Sequence, residues 1–146
     1  MRKIKVLLLS RYDRLGASSR LRFFQYLSFL EQQNIETDIS PLFSDKYLLA
    51  LYSGKSYWRW ILSGYYLRIK TLFKVKSYDL IWIEKEIFPY LPAFMERFLR
   101  LIGVILIVDY DDAIYHNYDK NQNWIIRTFL GKKIDTVMRS SSVVIV

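Results

Sequence analysis

Five short apolar runs punctuate the chain: Lys5 to Ser10, Ile35 to Leu42, Asp79 to Ile83, Val104 to Val108 and Val143 to Val146. Each is too short for a helix and rich in branched residues, so each reads as a strand. Four segments of helical character separate them. The first runs from a serine cap at Ser18 or Ser19 to about Gln33, with Leu21, Phe24, Tyr26, Leu27 and Leu30 along one stripe. The second starts with Asp45 capping a short helix to Tyr52, breaks at Gly54, and resumes from Lys55 to Lys76. Tyr90 to Ile102 and Trp124 to about Arg139 are the third and fourth. Single strands alternating with helices exclude hairpins and demand crossovers, which are almost always right-handed. The fold class that follows is α/β, a doubly wound parallel sheet. At 146 residues and 52% apolar content, one core is affordable, which predicts a single domain over 1–146.

Composition narrows the function classes. There is no cysteine, which removes thiolate nucleophiles, thiolate zinc sites and disulfide frameworks. The basic start at Arg2 and Lys3 is followed by an apolar run ending at Leu9, too short for a signal peptide, and no stretch suits a bilayer-spanning helix. A chain ending at Val146 inside an apolar strand predicts a fragment whose sheet is covered by something further.

The net charge of +8 is unevenly placed. Residues 1–76 hold 14 basic against 5 acidic residues, and residues 77–146 hold 8 against 9. From Lys46 to Tyr78 there are seven basic residues and no acidic one, interleaved with aromatics. Such a segment attracts phosphates, in anionic lipid or in nucleic acid, and composition does not choose between them. In Lys55 to Lys76, Trp58, Ile61, Leu62, Tyr65, Ile69, Leu72 and Phe73 fall on one helical face, opposite Arg59, Ser63, Tyr66, Lys70 and Lys74. This pattern suits either a helix packed on the sheet with solvated lysines or one lying at a membrane surface.

Parallel sheets bind ligands beyond the carboxyl ends of their strands. The loop Arg11 to Ser19 has a single glycine, so neither a dinucleotide fingerprint nor a phosphate-binding lysine loop is present. Gly16 and Ala17 precede a helix start, where small residues and backbone N–H groups, with Arg20, suit an anion; an ordinary turn and cap suit them equally. Glu84, Lys85 and Glu86 end the third strand, fitting hydroxyl recognition or a solvated rim. In the loop Asp109 to Asn121, three aspartates at 109, 111 and 112 precede the only histidine, His116. Crowded carboxylates require relief from a cation, hydrogen bonds or water, and His116 is the one side chain here whose ordinary proton affinity lies near neutrality.

The order of an apolar first strand, Gly16-Ala-Ser-Ser-Arg-Leu-Arg-Phe-Phe-Gln-Tyr-Leu27, Asn34-Ile-Glu-Thr-Asp38 and Asp109-Tyr-Asp-Asp-Ala-Ile114 resembles the N-terminal half of bacterial GT-B glycosyltransferases of family 4, or group 1, over essentially the whole chain. The resemblance implies a Rossmann-like domain that binds the acceptor and faces a nucleotide-sugar domain absent from this chain. It implies a retaining transfer from a nucleotide-sugar to a glycan or lipid-linked acceptor in cell-envelope polysaccharide synthesis, by a cytoplasmic enzyme peripheral to the membrane. No metal or cofactor is expected, and the fragment alone should be inactive. The donor's phosphate and sugar fall to Gly16, Ala17, Ser18, Ser19 and Arg20, with Ala17 where the family has a second glycine. His116 stands near the family's sugar-contacting histidine, with Asp111 or Asp112 as alternatives. Acceptor contacts fall to Arg11, Glu84, Lys85 and Glu86. Some relatives sit on membranes through a basic element of this domain, a role matching Lys55, Trp58, Arg59, Trp60, Arg68, Lys70, Lys74 and Lys76.

Two rivals accompany this expectation. Asp109-Tyr110-Asp111 matches the metal-binding Asp-x-Asp of GT-A glycosyltransferases. Alternatively the domain is a non-catalytic binding module for anionic membrane or, less favoured, nucleic acid.

Overall fold

A computed structural model describes residues 2–146. Helices and strands alternate as expected, and every strand pairing is parallel. The chain forms two compact units, residues 1–79 and 80–146. The five parallel strands and their intervening helices make it α/β, of Rossmann-like class.

In the first unit, β1 (Ile4–Leu9) pairs with β2 (Ile35–Ile39) from Ile4↔Ile35 to Leu8↔Ile39. Val6 to Leu9 are buried in succession, as a strand covered on both faces requires, whereas β2 alternates. A parallel bridge at Tyr12↔Phe43 carries the pairing beyond both strands. The single helix expected from Ser18 to Gln33 is instead α1 (Ala17–Arg22), a 3₁₀ turn (Phe24–Tyr26) and α2 (Leu27–Gln32). The break follows Phe23, whose φ of −126° departs from helical values while its ring is fully buried. The caps also differ. Gly16 precedes α1, and Ser19 Oγ accepts from Tyr12 N (3.0 Å) instead of capping. Ser44 precedes α3 (Asp45–Tyr52), while Asp45 Oδ1 accepts from Leu15 N at 2.9 Å. Gly54 takes φ +66° and ends that helix region as expected.

The segment Lys55–Lys76 is helical only over α4 (Trp58–Leu72), followed by a 3₁₀ turn (Val75–Ser77). Its orientation follows the periodicity only in part. The fully buried positions of α4 are Gly64, Arg68 and Leu72; of the expected apolar face Leu72 is buried and Ile61 and Tyr65 are half-buried, while Trp58, Leu62, Ile69 and Phe73 are exposed. The cause is local. A Cβ at position 64 would lie 2.0 Å from the Leu42 carbonyl oxygen, so glycine lets the helix seat against the strand-end loop. Arg68 then reaches the carbonyls of Ser10 (2.6 Å) and Ser40 (2.8 Å). Arg68, expected among membrane-facing residues, is therefore buried.

In the second unit, β4 (Leu106–Asp109) lies between β3 (Leu80–Glu84) and β5 (Val143–Ile145). Ile81, Ile83, Leu106 and Val108 form its core with Leu99 of α5 (Phe94–Leu101) and Ile134 and Val137 of α8 (Lys133–Ser140). The helix expected from Tyr90 begins only at Phe94, because Tyr90 is held at φ +57° and Pro92 follows. The helix expected over Trp124–Arg139 is divided into α7 (Trp124–Leu130) and α8. The loop Asp109–Asn121 contains one helical turn, α6 (His116–Asp119). Among the described residues no helix is long and apolar enough to cross a membrane.

Candidate functional site

The carboxyl ends of β3 and β4 hold the densest charged cluster of the second unit. Lys85, the residue after β3, has φ +68°, a conformation that costs a side-chain-bearing residue about 1–2 kcal/mol. It is fixed there on both sides: Lys85 N donates to the Asp109 carbonyl (3.0 Å) and Glu86 N to the Glu84 carbonyl (2.8 Å). The inverted backbone sends Lys85 Nζ to Asp111 Oδ1 at 2.7 Å and Asp112 Oδ2 at 3.1 Å. Burial works against the Lys85 charge, but the hydrogen bonds it donates to the Asp111 and Asp112 carboxylates, with their negative charge, prevail and raise its pKa above the ordinary lysine value. Crowding among the aspartates is thus relieved by an internal ammonium. The Asp112 side chain stays 61% exposed, leaving lone pairs open, whereas that of Asp111 is 23% exposed.

Glu84 and Glu86 are buried, which excludes the solvated rim. Glu86 belongs to a second network: its carboxylate accepts from Tyr118 Oη (2.8 Å) and pairs with Lys133 Nζ (2.5 Å). Lys133 also donates to the Phe88 carbonyl and lies 5.1 Å from the centre of the Tyr118 ring. Tyr90 N donates to Tyr118 Oη at 3.2 Å, and Ile87 N donates to Glu96 Oε1 at 3.0 Å. Desolvation pushes the Glu96 carboxyl above its ordinary range, against the opposing backbone hydrogen bond from Ile87 and the Lys133 charge. Burial raises the Tyr110 hydroxyl further, aided by Glu86 and Glu96. This network braces segment 85–90 from beneath. The Glu86 carboxylate is thus buried and engaged by Tyr118 and Lys133.

His116 opens α6, with Nδ1 3.0 Å from Asp119 Oδ1 and Nε2 3.2 Å from Lys120 Nζ. An ammonium can only donate, so Nε2 accepts and the ring proton sits on Nδ1, directed at Asp119. Asp109 is buried and Asp111 is engaged by Lys85, so they do not present the two open carboxylates that the Asp-x-Asp reading requires.

In the first unit, the loop after β1 is held by its own contacts. Gly16 N donates to the Asp13 carbonyl (3.0 Å), and Arg20 Nη1 to the Arg14 carbonyl (3.3 Å). A Cβ on Gly16 would meet Tyr12 Cβ at 2.2 Å, so packing against Tyr12 explains this glycine without a ligand. Ala17 and Arg20 are exposed, Ser18 and Arg11 half-buried, and Ser19 buried. Lys55, Trp58, Arg59, Lys70, Lys74 and Lys76 are exposed, while Trp60 is half-buried beneath Arg59 (4.4 Å) and Lys46 (5.3 Å).

Sequence reasoning missed Tyr118, Lys133 and Glu96, the supports of the strand-end cluster. Their positions have no spacing signature, because the contacts run between loop and helices 32 and 47 positions from Glu86 in the first two cases. No family model, no curated protein and no solved structure matches this chain.

Proposed function

We propose that the chain is the acceptor-side, Rossmann-like half of a retaining glycosyltransferase of GT-B type, acting on a glycan or lipid-linked acceptor in envelope polysaccharide synthesis. The observation that supports it is Lys85: a strained residue at a strand's carboxyl end, braced from below, carrying two aspartates. Such strain persists only where surrounding structure enforces it, and it concentrates at functional sites. In the transfer, the acceptor hydroxyl oxygen bonds to the anomeric carbon as the bond to the nucleotide diphosphate breaks, and the hydroxyl proton leaves with the departing phosphate. Asp112 offers the carboxylate that orients the hydroxyl, and Lys85 fixes that carboxylate. His116, held by Asp119 through Nδ1, turns Nε2 to the sugar in exchange for its contact with Lys120. In the first unit, Ala17 and Arg20 are exposed and suit a donor phosphate.

The test is sugar transfer by the protein from its complete reading frame, using a panel of labelled nucleotide-sugars and membrane-extracted acceptors. Expected is transfer from one of them, with Asp112→Asn lowering kcat/KM for acceptor by roughly a hundredfold or more. Ser18→Ala with Arg20→Ala is expected to raise the KM for donor. Absence of transfer with every donor, or unchanged turnover in Asp112→Asn, overturns the proposal.

A further inference from the structure

The outward face of α4 has two adjacent arcs. One is apolar: Trp58 (66% exposed), Leu62 (70%), Ile69 (47%) and Phe73 (86%), a stripe along the entire helix. At 100° per residue, Tyr66 completes this arc and Arg59, Lys70 and Lys74 form the next one, away from the buried side of Gly64 and Arg68. Tyr52, at the end of α3, adds an 81% exposed ring to the same connected segment. A run of ring contacts links the stripe to the core. Trp58 stacks on Tyr57 (6.0 Å), which meets Tyr47 edge-on (5.6 Å), which stacks on Phe43 (4.6 Å) beside the core. Leaving aromatic and aliphatic groups in water along four helical turns forgoes about 1.5–3 kcal/mol for each that could be buried.

The charge around the stripe selects its occupant. Six of the seven basic residues between Lys46 and Tyr78 remain exposed, with no acidic residue in that interval. Five of the six are lysines, a residue depleted from protein–protein interfaces and suited to a diffuse anionic surface. Between α4 and the end of β2 lies an open groove of about 470 Å³, with Lys70, Lys74, Thr71, Ser63 and Ser40 on its walls. Asp38 also lines it, but Tyr78 Oη donates to that carboxylate at 2.8 Å. The basic arc therefore borders a recess with hydroxyl groups on the scale of a phosphorylated head group.

We propose that α4, with the end of α3, docks the first unit on an anionic bilayer surface. The apolar stripe enters the interface and Arg59, Lys70 and Lys74 hold lipid phosphates. The helix lies in the membrane plane, its apolar arc at acyl depth and its cations at head-group level. This reading is independent of glycosyl transfer and holds for a non-catalytic module equally.

The experiment is vesicle co-sedimentation of the 146-residue chain with phosphatidylcholine alone and with about one-third phosphatidylglycerol added. Expected is partition at least tenfold stronger into the anionic vesicles, weakened and not abolished by salt because the apolar term is unscreened. Tryptophan emission shifts to the blue on binding, and Trp58→Phe removes most of that shift. Lys70→Ala with Lys74→Ala weakens partition about thirtyfold, and Leu62→Ser with Phe73→Ser about tenfold or more. Leu101→Ser, at a still more exposed leucine on α5, has no effect. Circular dichroism checks that each variant is folded.

Equal partition into both vesicle types, none into either, or wild-type binding by folded Leu62→Ser/Phe73→Ser overturns the proposal. So does displacement from vesicles by single-stranded DNA with retention of the blue shift, which assigns the face to nucleic acid. A dimer in light scattering that dissociates on Leu62→Ser assigns it to a second copy and likewise overturns it.

Discussion

Arg68 Nη2 lies 2.6 Å from the carbonyl oxygen of Ser10, 58 positions earlier in the chain, and 2.8 Å from that of Ser40. One guanidinium thus ties α4 to backbone leaving both β1 and β2. The Ser10 carbonyl also accepts from Leu42 N at 2.9 Å, so Arg68 fills its second lone pair. Removing the donor leaves buried acceptors without it, and hydrogen bonds from charged groups are worth about 1.5–3 kcal/mol each. Arg68→Met is therefore expected to lower stability by about 2–5 kcal/mol. Arg68→Lys recovers only part of that, since a point charge lacks the planar fork. Urea unfolding midpoints measure both, and a loss under about 1 kcal/mol would show that Arg68 is not the tie.

The same residue shows where the sequence is legible and where it is not. Val6 to Leu9 and Val104 to Val108 announce buried strands because apolar runs have few other uses, and the alternation of strand with helix then yields a parallel α/β fold. Helical periodicity assumes that the apolar arc faces inward. In α4 it holds for Leu72, Ile61 and Tyr65 and fails for Trp58, Leu62, Ile69 and Phe73, because Gly64 permits the closest backbone approach and Arg68 is satisfied by carbonyls, neither of which registers as hydrophobic. At the strand ends, sequence places Lys85 beside Glu84 and Glu86 but cannot show that φ +68° sends its ammonium to Asp111 and Asp112. Gly16 reads as a ligand-approach position and proves to be required by Tyr12, since spacing does not distinguish a ligand from a neighbouring ring.

Two glycines should resist alanine for the same steric reason. At Gly16 the new methyl would meet Tyr12 Cβ at 2.2 Å, and at Gly64 it would meet the Leu42 carbonyl oxygen at 2.0 Å. Overpacking costs typically about 1–3 kcal/mol. Gly64→Ala is expected to be the worse of the two, because the obstruction is main chain and cannot rotate away. Gly16→Ala should be rescued by Tyr12→Gly, and Gly64→Ala by no single side-chain change. Thermal unfolding of Gly16→Ala, Gly64→Ala and Gly16→Ala with Tyr12→Gly checks this ordering.

Glu96 predicts a pH dependence of stability. Its folded-state pKa is raised, chiefly by desolvation, so between the unfolded and folded values the native state binds more proton than the unfolded chain. Stability then falls as pH rises through that window and levels off above the folded value. Glu96→Gln keeps an oxygen that can accept from Ile87 N without carrying a charge. The variant should gain stability relative to wild type at neutral pH and lose that advantage below the ordinary glutamate range. A difference in Tm that does not vary with pH would mean that ionisation of Glu96 is not the cause.

Lys85 allows backbone strain and ion pairing to be separated. Lys85→Met keeps the φ +68° conformation with a side chain present and removes the bridge to Asp111 and Asp112, whereas Lys85→Gly removes both bridge and strain. Both should destabilise at neutral pH, by about 1–2 kcal/mol for Met, a figure reduced because Asp112 is largely solvated. Glycine should be the more stable replacement by about 1 kcal/mol, the cost of placing a Cβ in the left-handed region. The pH sign is the reverse of that for Glu96. A lysine whose folded pKa is raised contributes its stabilisation below the unfolded value and loses it as pH climbs through the folded one, so wild type should converge on Lys85→Met only in strong alkali. Denaturant titrations of the three proteins from neutral pH upward measure the bridge from wild type against Met and the strain from Gly against Met. If Met and Gly prove equally stable, the conformation at Lys85 is not strained, and the support beneath it has no strain to hold.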